Sequence, residues 1–224
     1  MRNVKCVLLI ASLALIAGCE GMGVIGSTPA PAPPPAAPPT PEQVFKAFTA
    51  VNRAFQEAYE RILDERGVRS VPVRRSDAFD ALNAGLIRLG MIVESRDPDA
   101  GTLTVAAPAP RPLDADEWRR AAAADLPLMQ KIMCPILGER FCQSIRFEPD
   151  GLVIVINATV LATASGGSEI SLTTRMREIE ESRTKLPRRE YPPPTGVRMA
   201  LDKIWTRFDQ DLDTRRRSPE RRVP

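Results

Sequence analysis

Four carboxylates, Asp114, Asp116, Glu117 and Asp125, fall close together around Trp118. Neighbouring carboxylates can do acid–base or metal chemistry. The first three, however, occupy what reads as the opening turn of a helix. Acids there complement the unpaired backbone N–H groups, so capping is the expected role. Ser165-Gly166-Gly167-Ser168 looks like a phosphate cradle. It joins two strand-like runs, with neither a lysine nor a following helix, so a hairpin turn is expected. Ser76 and Ser171 lack a base, because the 224-residue chain contains no histidine. That removes the commonest general base and the commonest metal ligand. No hydrolase arrangement survives. A non-catalytic protein is expected, with no cofactor and no metal.

The start of the chain carries a different chemistry. Arg2 and Lys5 form a positive segment, Val7 to Ile16 is apolar, and Ala17 and Gly18 are small. This is the anatomy of a secretory signal, too short to span a bilayer permanently. The run Ile16-Ala17-Gly18-Cys19 resembles the lipobox of bacterial lipoproteins. The resemblance implies that the Cys19 thiol takes a diacylglyceryl group, residues 1–18 are removed, and the new N-terminus is acylated. Two or more chains anchor stably where one does not. The next residue is Glu20. Asp there would imply inner-membrane retention, so the resemblance points to the outer membrane, periplasmic face. The competing reading is a plain secretory signal with an incidental cysteine.

Of the remaining cysteines, Cys6 leaves with the leader, and Cys134 and Cys142 form an even pair. In an oxidising compartment a structural disulfide is expected, with Pro135 and Gly138 letting the segment fold back. A redox pair would favour Cys-x-x-Cys spacing, and a zinc site would need two further ligands. Charge is unevenly spread. Loss of Arg2 and Lys5 takes the formal charge from +3 to +1. Residues 214–224 carry five arginines against one glutamate, which leaves residues 19–213 at −3. Nothing in that mildly acidic body reads as a nucleic-acid binder. Arg188 and Arg189 precede Tyr191-Pro192-Pro193-Pro194, and Arg215, Arg216, Arg217, Arg221 and Arg222 close the chain. Guanidinium forks suit phosphates and carboxylates, so these arginines are the candidate anion- or partner-binding residues. Lipopolysaccharide, anionic lipid head groups, peptidoglycan or an acidic protein patch would fit. The alternative is a solvated tail.

The elements that must position these groups follow in order. Residues 19–40 form a Pro/Ala-rich spacer behind Cys19, reaching at most about 70 Å at about 3.1 Å per residue; a groove-binding ligand is the other reading. Thr40-Pro41-Glu42-Gln43 opens a helix as a capping box, and Gly67 ends it. Val44, Phe48, Val51, Phe55, Ala58 and Ile62 make its apolar stripe. Such a stripe packs on its own core by default, the rival being a coiled-coil face. Val71-Pro72-Val73 reads as an edge strand. Ser76-Asp77 caps a second helix with Phe79, Leu82, Leu86 and Leu89, closed by Gly90. Met91–Val93 and Thr102–Val105 pair across the turn at Asp97–Gly101. A short helix is expected over Leu113–Asp125, then a proline-broken segment holding the cysteines. Three strands, Gln143–Glu148, Leu152–Leu161 and Glu169–Glu178, make a meander. A final helix carries Val197, Leu201, Ile204, Trp205, Phe208 and Leu212. Residues 41–213 are expected to form one α+β domain, followed by a disordered basic tail at 214–224.

An antiparallel sheet closed by a long C-terminal helix is a helix-grip-like arrangement, here with an added N-terminal helix. Asp77-Ala78-Phe79 with Leu82, then Leu89-Gly90-Met91-Ile92-Val93, Asp97 to Gly101 and Thr102-Leu103-Thr104-Val105 resemble the repeated domain of BamC-like lipoproteins. Ile204-Trp205-Thr206-Arg207-Phe208 fits the same pattern. That family serves the β-barrel assembly machinery, and the resemblance implies a non-catalytic accessory subunit with an envelope-protein partner. The chain differs in having one such domain, the helix at 41–66, the cysteine-bearing insertion and the Pro/Ala spacer. Two other functions fit the same elements: a carrier of a hydrophobic small molecule or lipid beneath the closing helix, and a cell-wall link through the basic tail.

Overall fold

The structure, a computed structural model, describes residues 37–179 and 189–217. Helix α1 (Pro41–Arg66) opens as its sequence dictates. Thr40 Oγ1 accepts the Gln43 N–H at 3.3 Å, and Gln43 Oε1 accepts the Thr40 N–H at 2.8 Å. Its buried line runs Ala47, Val51, Phe55, Tyr59, Ile62, while Val44, Phe48 and Ala58 are only partly covered. The line is displaced from the expected stripe because α1 packs against two bodies in turn. Its first half meets another helix and its second half meets the sheet.

Strand β1 (Val68–Val71) starts earlier than expected and ends before Pro72, which has no N–H to give a ladder. It is an edge strand, as the proline implied. Helix α2 (Arg75–Arg88) begins one residue ahead of Ser76. Arg74 holds the cap position without a side-chain acceptor, and Asp77 instead pairs with Arg74 at 3.3 Å. Strands β2 (Ile92–Asp97) and β3 (Thr102–Pro108) form the expected hairpin.

Helix α3 (Ala115–Leu137) is the largest departure, because it runs through Pro127 and Pro135 instead of stopping near Asp125. An interior proline costs about 3 kcal/mol. The carbonyls it leaves unbonded lie four residues back, at Ala123 and Lys131, and both residues are exposed to water. Continuation also buries Met129, Met133 and Leu137 against Ala47, Val51 and Phe55. Burial of these three large apolar side chains, at about 1.5–3 kcal/mol each, is comparable in size to the cost of the two prolines and offsets it.

A short helix α4 (Glu139–Cys142) follows, and residues 143–149 are not a strand. The sheet position beside β4 (Leu152–Ala162) is already taken by β3, so Ile145 and Phe147 turn their apolar faces onto the α1–α3 cluster instead. Strand β5 (Ser168–Glu178) pairs with β4 across the Ser165–Ser168 turn, and helix α5 (Pro194–Arg217) closes the chain. α5 continues through Thr214 to Arg217, where a disordered tail was expected. Thr214 Oγ1 donates to the Gln210 carbonyl at 2.8 Å, and Arg215 donates to the Asp80 carbonyl at 3.3 Å.

The protein is α+β, with one five-stranded antiparallel sheet in the order β1-β5-β4-β3-β2. Alternation places Val105, Ile156 and Thr174 in one row on the inner face. There α2 and α5 cover the sheet, and Val197, Leu201, Ile204 and Phe208 pack with Phe79, Leu82 and Leu86. The second, smaller core lies between the first half of α1 and the last half of α3.

Candidate functional site

The acidic residues are absorbed by helix ends. Asp114 is the N-cap of α3: its Oδ1 accepts the Glu117 N–H at 2.8 Å, and Glu117 Oε2 accepts the Asp114 N–H at 2.7 Å. That backbone bond holds the Asp114 carboxyl below its ordinary value. Glu117 also meets Lys203 of α5 at 2.5 Å, and Asp116 pairs with Arg119. Asp125 does something the sequence did not disclose. From the middle of α3 it caps α5, accepting the Thr195 N–H at 2.8 Å and the Thr195 hydroxyl at 2.7 Å. Only 7 % of Asp125 is exposed, and burial raises its pKa despite these two bonds.

A pH dependence follows from Asp125. Because its folded pKa lies above the ordinary carboxylate value near 3.8, the folded state binds that proton more tightly than the unfolded chain. Its contribution to stability is therefore full below that value and is lost as pH rises through the raised one. Asp125→Asn should gain stability relative to the natural protein across that window. Thermal melts of both proteins at stepped pH check this, and a pH-independent difference would contradict it.

Cys134, in the last turn of α3, and Cys142, at the end of α4, form the expected disulfide, with Cα atoms 5.2 Å apart. Cys142 is buried in the α1–α3 cluster. On the chain-entropy account a loop this short contributes about 2–3 kcal/mol. Urea unfolding with and without dithiothreitol should show a loss of that size. A Cys134→Ala/Cys142→Ala protein should unfold at the reduced midpoint in both buffers, and superimposable curves for the natural protein would contradict the assignment.

The arginines are not brought together. Arg189 lies beside the end of β5, 3.4 Å from Glu178 and from the Glu148 carbonyl. Arg215 sits at the far end of α5 and shares Asp80 with Arg96, at 3.7 and 3.0 Å. Arg216 and Arg217 are exposed there. Arg189 precedes α5 and Arg215 to Arg217 end it, each group with its own partners, so no single anion site is built from both. Cys19, Arg188, Arg221 and Arg222 lie outside the described residues. No three histidine, cysteine or acidic side chains converge on a metal position, and no helix is long and apolar enough to cross a membrane, among the described residues.

One arginine absent from the sequence reading stands out. The Arg175 guanidinium on β5 lies 4.6 Å from the Tyr59 ring centroid and 4.4 Å from that of Tyr191. The two rings meet edge-on at 5.4 Å. Tyr59 is fixed in turn, its hydroxyl accepting the Thr174 N–H at 3.1 Å in a buried position that raises the phenol's pKa. Stacking of this kind is worth about 0.5–2 kcal/mol and leaves the N–H edge of the guanidinium unused. Among the described residues no carboxylate pairs with Arg175, whereas Arg177 is held by Glu94 at 2.5 Å. The only advance signal was the alternation of β5, which sends Arg175 and Arg177 to the face opposite α2 and α5. Compared with protein families, with curated proteins and with solved structures, the chain matches none.

Proposed function

We propose that this is a lipoprotein anchored through Cys19 to the periplasmic face of a bacterial outer membrane. It works there by binding, as a non-catalytic scaffold or accessory subunit of the BamC-like kind in outer-membrane protein assembly. The carrying observation is the pairing of a leader ending in Ile16-Ala17-Gly18-Cys19 with an antiparallel sheet closed by a long C-terminal helix. The commitment of Asp114, Glu117 and Asp125 to helix ends supports a surface-based role over a catalytic one. No observation among the described residues favours the lipid-carrier or cell-wall reading.

Crosslinking in intact cells, followed by purification of a tagged chain and mass spectrometry, tests the proposal. Recovery of a β-barrel assembly component is the expected result. A crosslinked set without any such component would refute the assembly role.

A further inference from the structure

Antiparallel sheets often leave one face to water, and such faces are ordinarily polar. The outer face here is divided. One row across it, Thr104, Asn157 and Thr173, is polar, with Thr104 donating to Asn157 at 3.0 Å. The next row toward the other end is Ile92, Ala106, Val155 and Arg175, read across β2, β3, β4 and β5. Pro108 and Val153 lie beside it in the following row, ahead of Arg177. Ile92 remains 65 % exposed, on a β2 strand whose six residues are all exposed. This apolar strip, in which Ala106 is buried and Val155 half-buried, ends at an aromatic-stacked arginine that no carboxylate pairs with among the described residues; apolar area beside Arg and Tyr anchors is the composition of a protein interface.

We infer that this half of the outer sheet face docks a protein partner through an acidic segment that lays an apolar side chain against Ile92 and Val155 and a carboxylate against Arg175. The inference rests on the binding role proposed above and names the surface that performs it. Charge decides among occupants. Arg177 is already neutralised by Glu94, so among the described residues the strip offers one cation without a carboxylate partner, too few to hold an anionic membrane surface. The Tyr191 ring is taken by Arg175 and is not a free platform for a sugar. A lone, oriented guanidinium matches a single carboxylate, which it can grip bidentately. Ile92 and Arg175 stand three strand spacings apart, about 14 Å at about 4.8 Å each. An extended segment covers that distance in about four residues, an even spacing that keeps both side chains on one side.

Selection of random twelve-residue displayed peptides on the purified full-length chain tests this without reference to the tether or to cellular location. Enriched peptides should carry Asp or Glu about four residues from a large apolar residue. Arg175→Gln and Ile92→Asp should each weaken them by about tenfold or more, the value of one charged hydrogen-bonded contact. Arg175→Glu should shift the selected peptides toward Lys and Arg. Arg53→Glu, on the exposed side of α1, should leave binding unchanged, and circular dichroism of each variant confirms folding. Absence of enrichment, absence of an acidic preference, or binding indifferent to Arg175→Gln would overturn the inference. So would a dimer, seen by light scattering, that Ile92→Asp dissociates, because the face would then serve a second copy of the chain. A failure here with assembly components still recovered from cells would remove this surface and leave the proposed function standing.

Discussion

Replacing Phe208 by alanine is expected to destabilise the fold by about 3–5 kcal/mol, the range for truncating a fully buried aromatic residue. Phe208 is 0 % exposed at the crossing of α5 and α2, with Trp205 edge-on at 6.0 Å and the Arg69 guanidinium at 6.0 Å from its ring. The two helices meet closely at Gly85, where an added Cβ would lie 3.3 Å from Asp211 Oδ2 and 3.4 Å from Arg207 Cγ. Helices that could slide would shrink the void. Sliding of these two is restrained, because Arg88 of α2 is paired to the buried Asp211 of α5. Most of the cavity should persist. With a urea dependence of about 2 kcal/mol per molar, the unfolding midpoint should fall by about 2 M. A shift under about 0.5 M would mean that the α2–α5 contact is not the centre of the core.

The second large effect is at Gly101, in the β2–β3 turn. Its φ of +73° is a region that side chains resist. A Cβ would also fall well inside contact distance of the Val160 carbonyl oxygen. That oxygen belongs to the backbone, and the Val160 N–H donates to the Gly101 carbonyl at 2.8 Å, so neither strand can retreat without breaking the β3–β4 ladder. Gly101→Ala should cost more than about 2 kcal/mol. Gly166→Ala is the control. It has a φ of +81° but nothing within 4 Å, so it should cost only the conformational strain, about 1 kcal/mol. Equal losses in urea titrations of the two variants would contradict the close approach at Gly101.

How much of this was legible depends on the range of the cause. The Thr40–Gln43 capping box, the turn at Asp97–Gly101 and the closing helix are written in residues a few positions apart, and the structure has them. α3 was not legible, because its passage through Pro127 and Pro135 is stabilised by Ala47, Val51 and Phe55, far off in sequence. The alternating apolar residues around Ile145 and Phe147 were real, but a sheet position was not open to them. Among the candidate site residues, the disulfide was expected from an even cysteine pair and is present, while Arg189 turned out to precede α5 and Arg215–Arg217 to end it. Asp125 and Arg175 were hidden for one common reason. Each acts on a partner, Thr195 or the Tyr59–Tyr191 pair, that only the register of the fold brings near.

Covalent lipid at residue 19 is the feature on which the proposed location and role both rest. Growing cells on an alkyne-bearing fatty acid, then coupling a fluorophore to the purified chain, measures it directly. The predicted result is a labelled natural protein in the outer-membrane fraction and an unlabelled Cys19→Ser protein released from it. An unlabelled natural protein, or a Cys19→Ser protein still in that fraction, would contradict the claim.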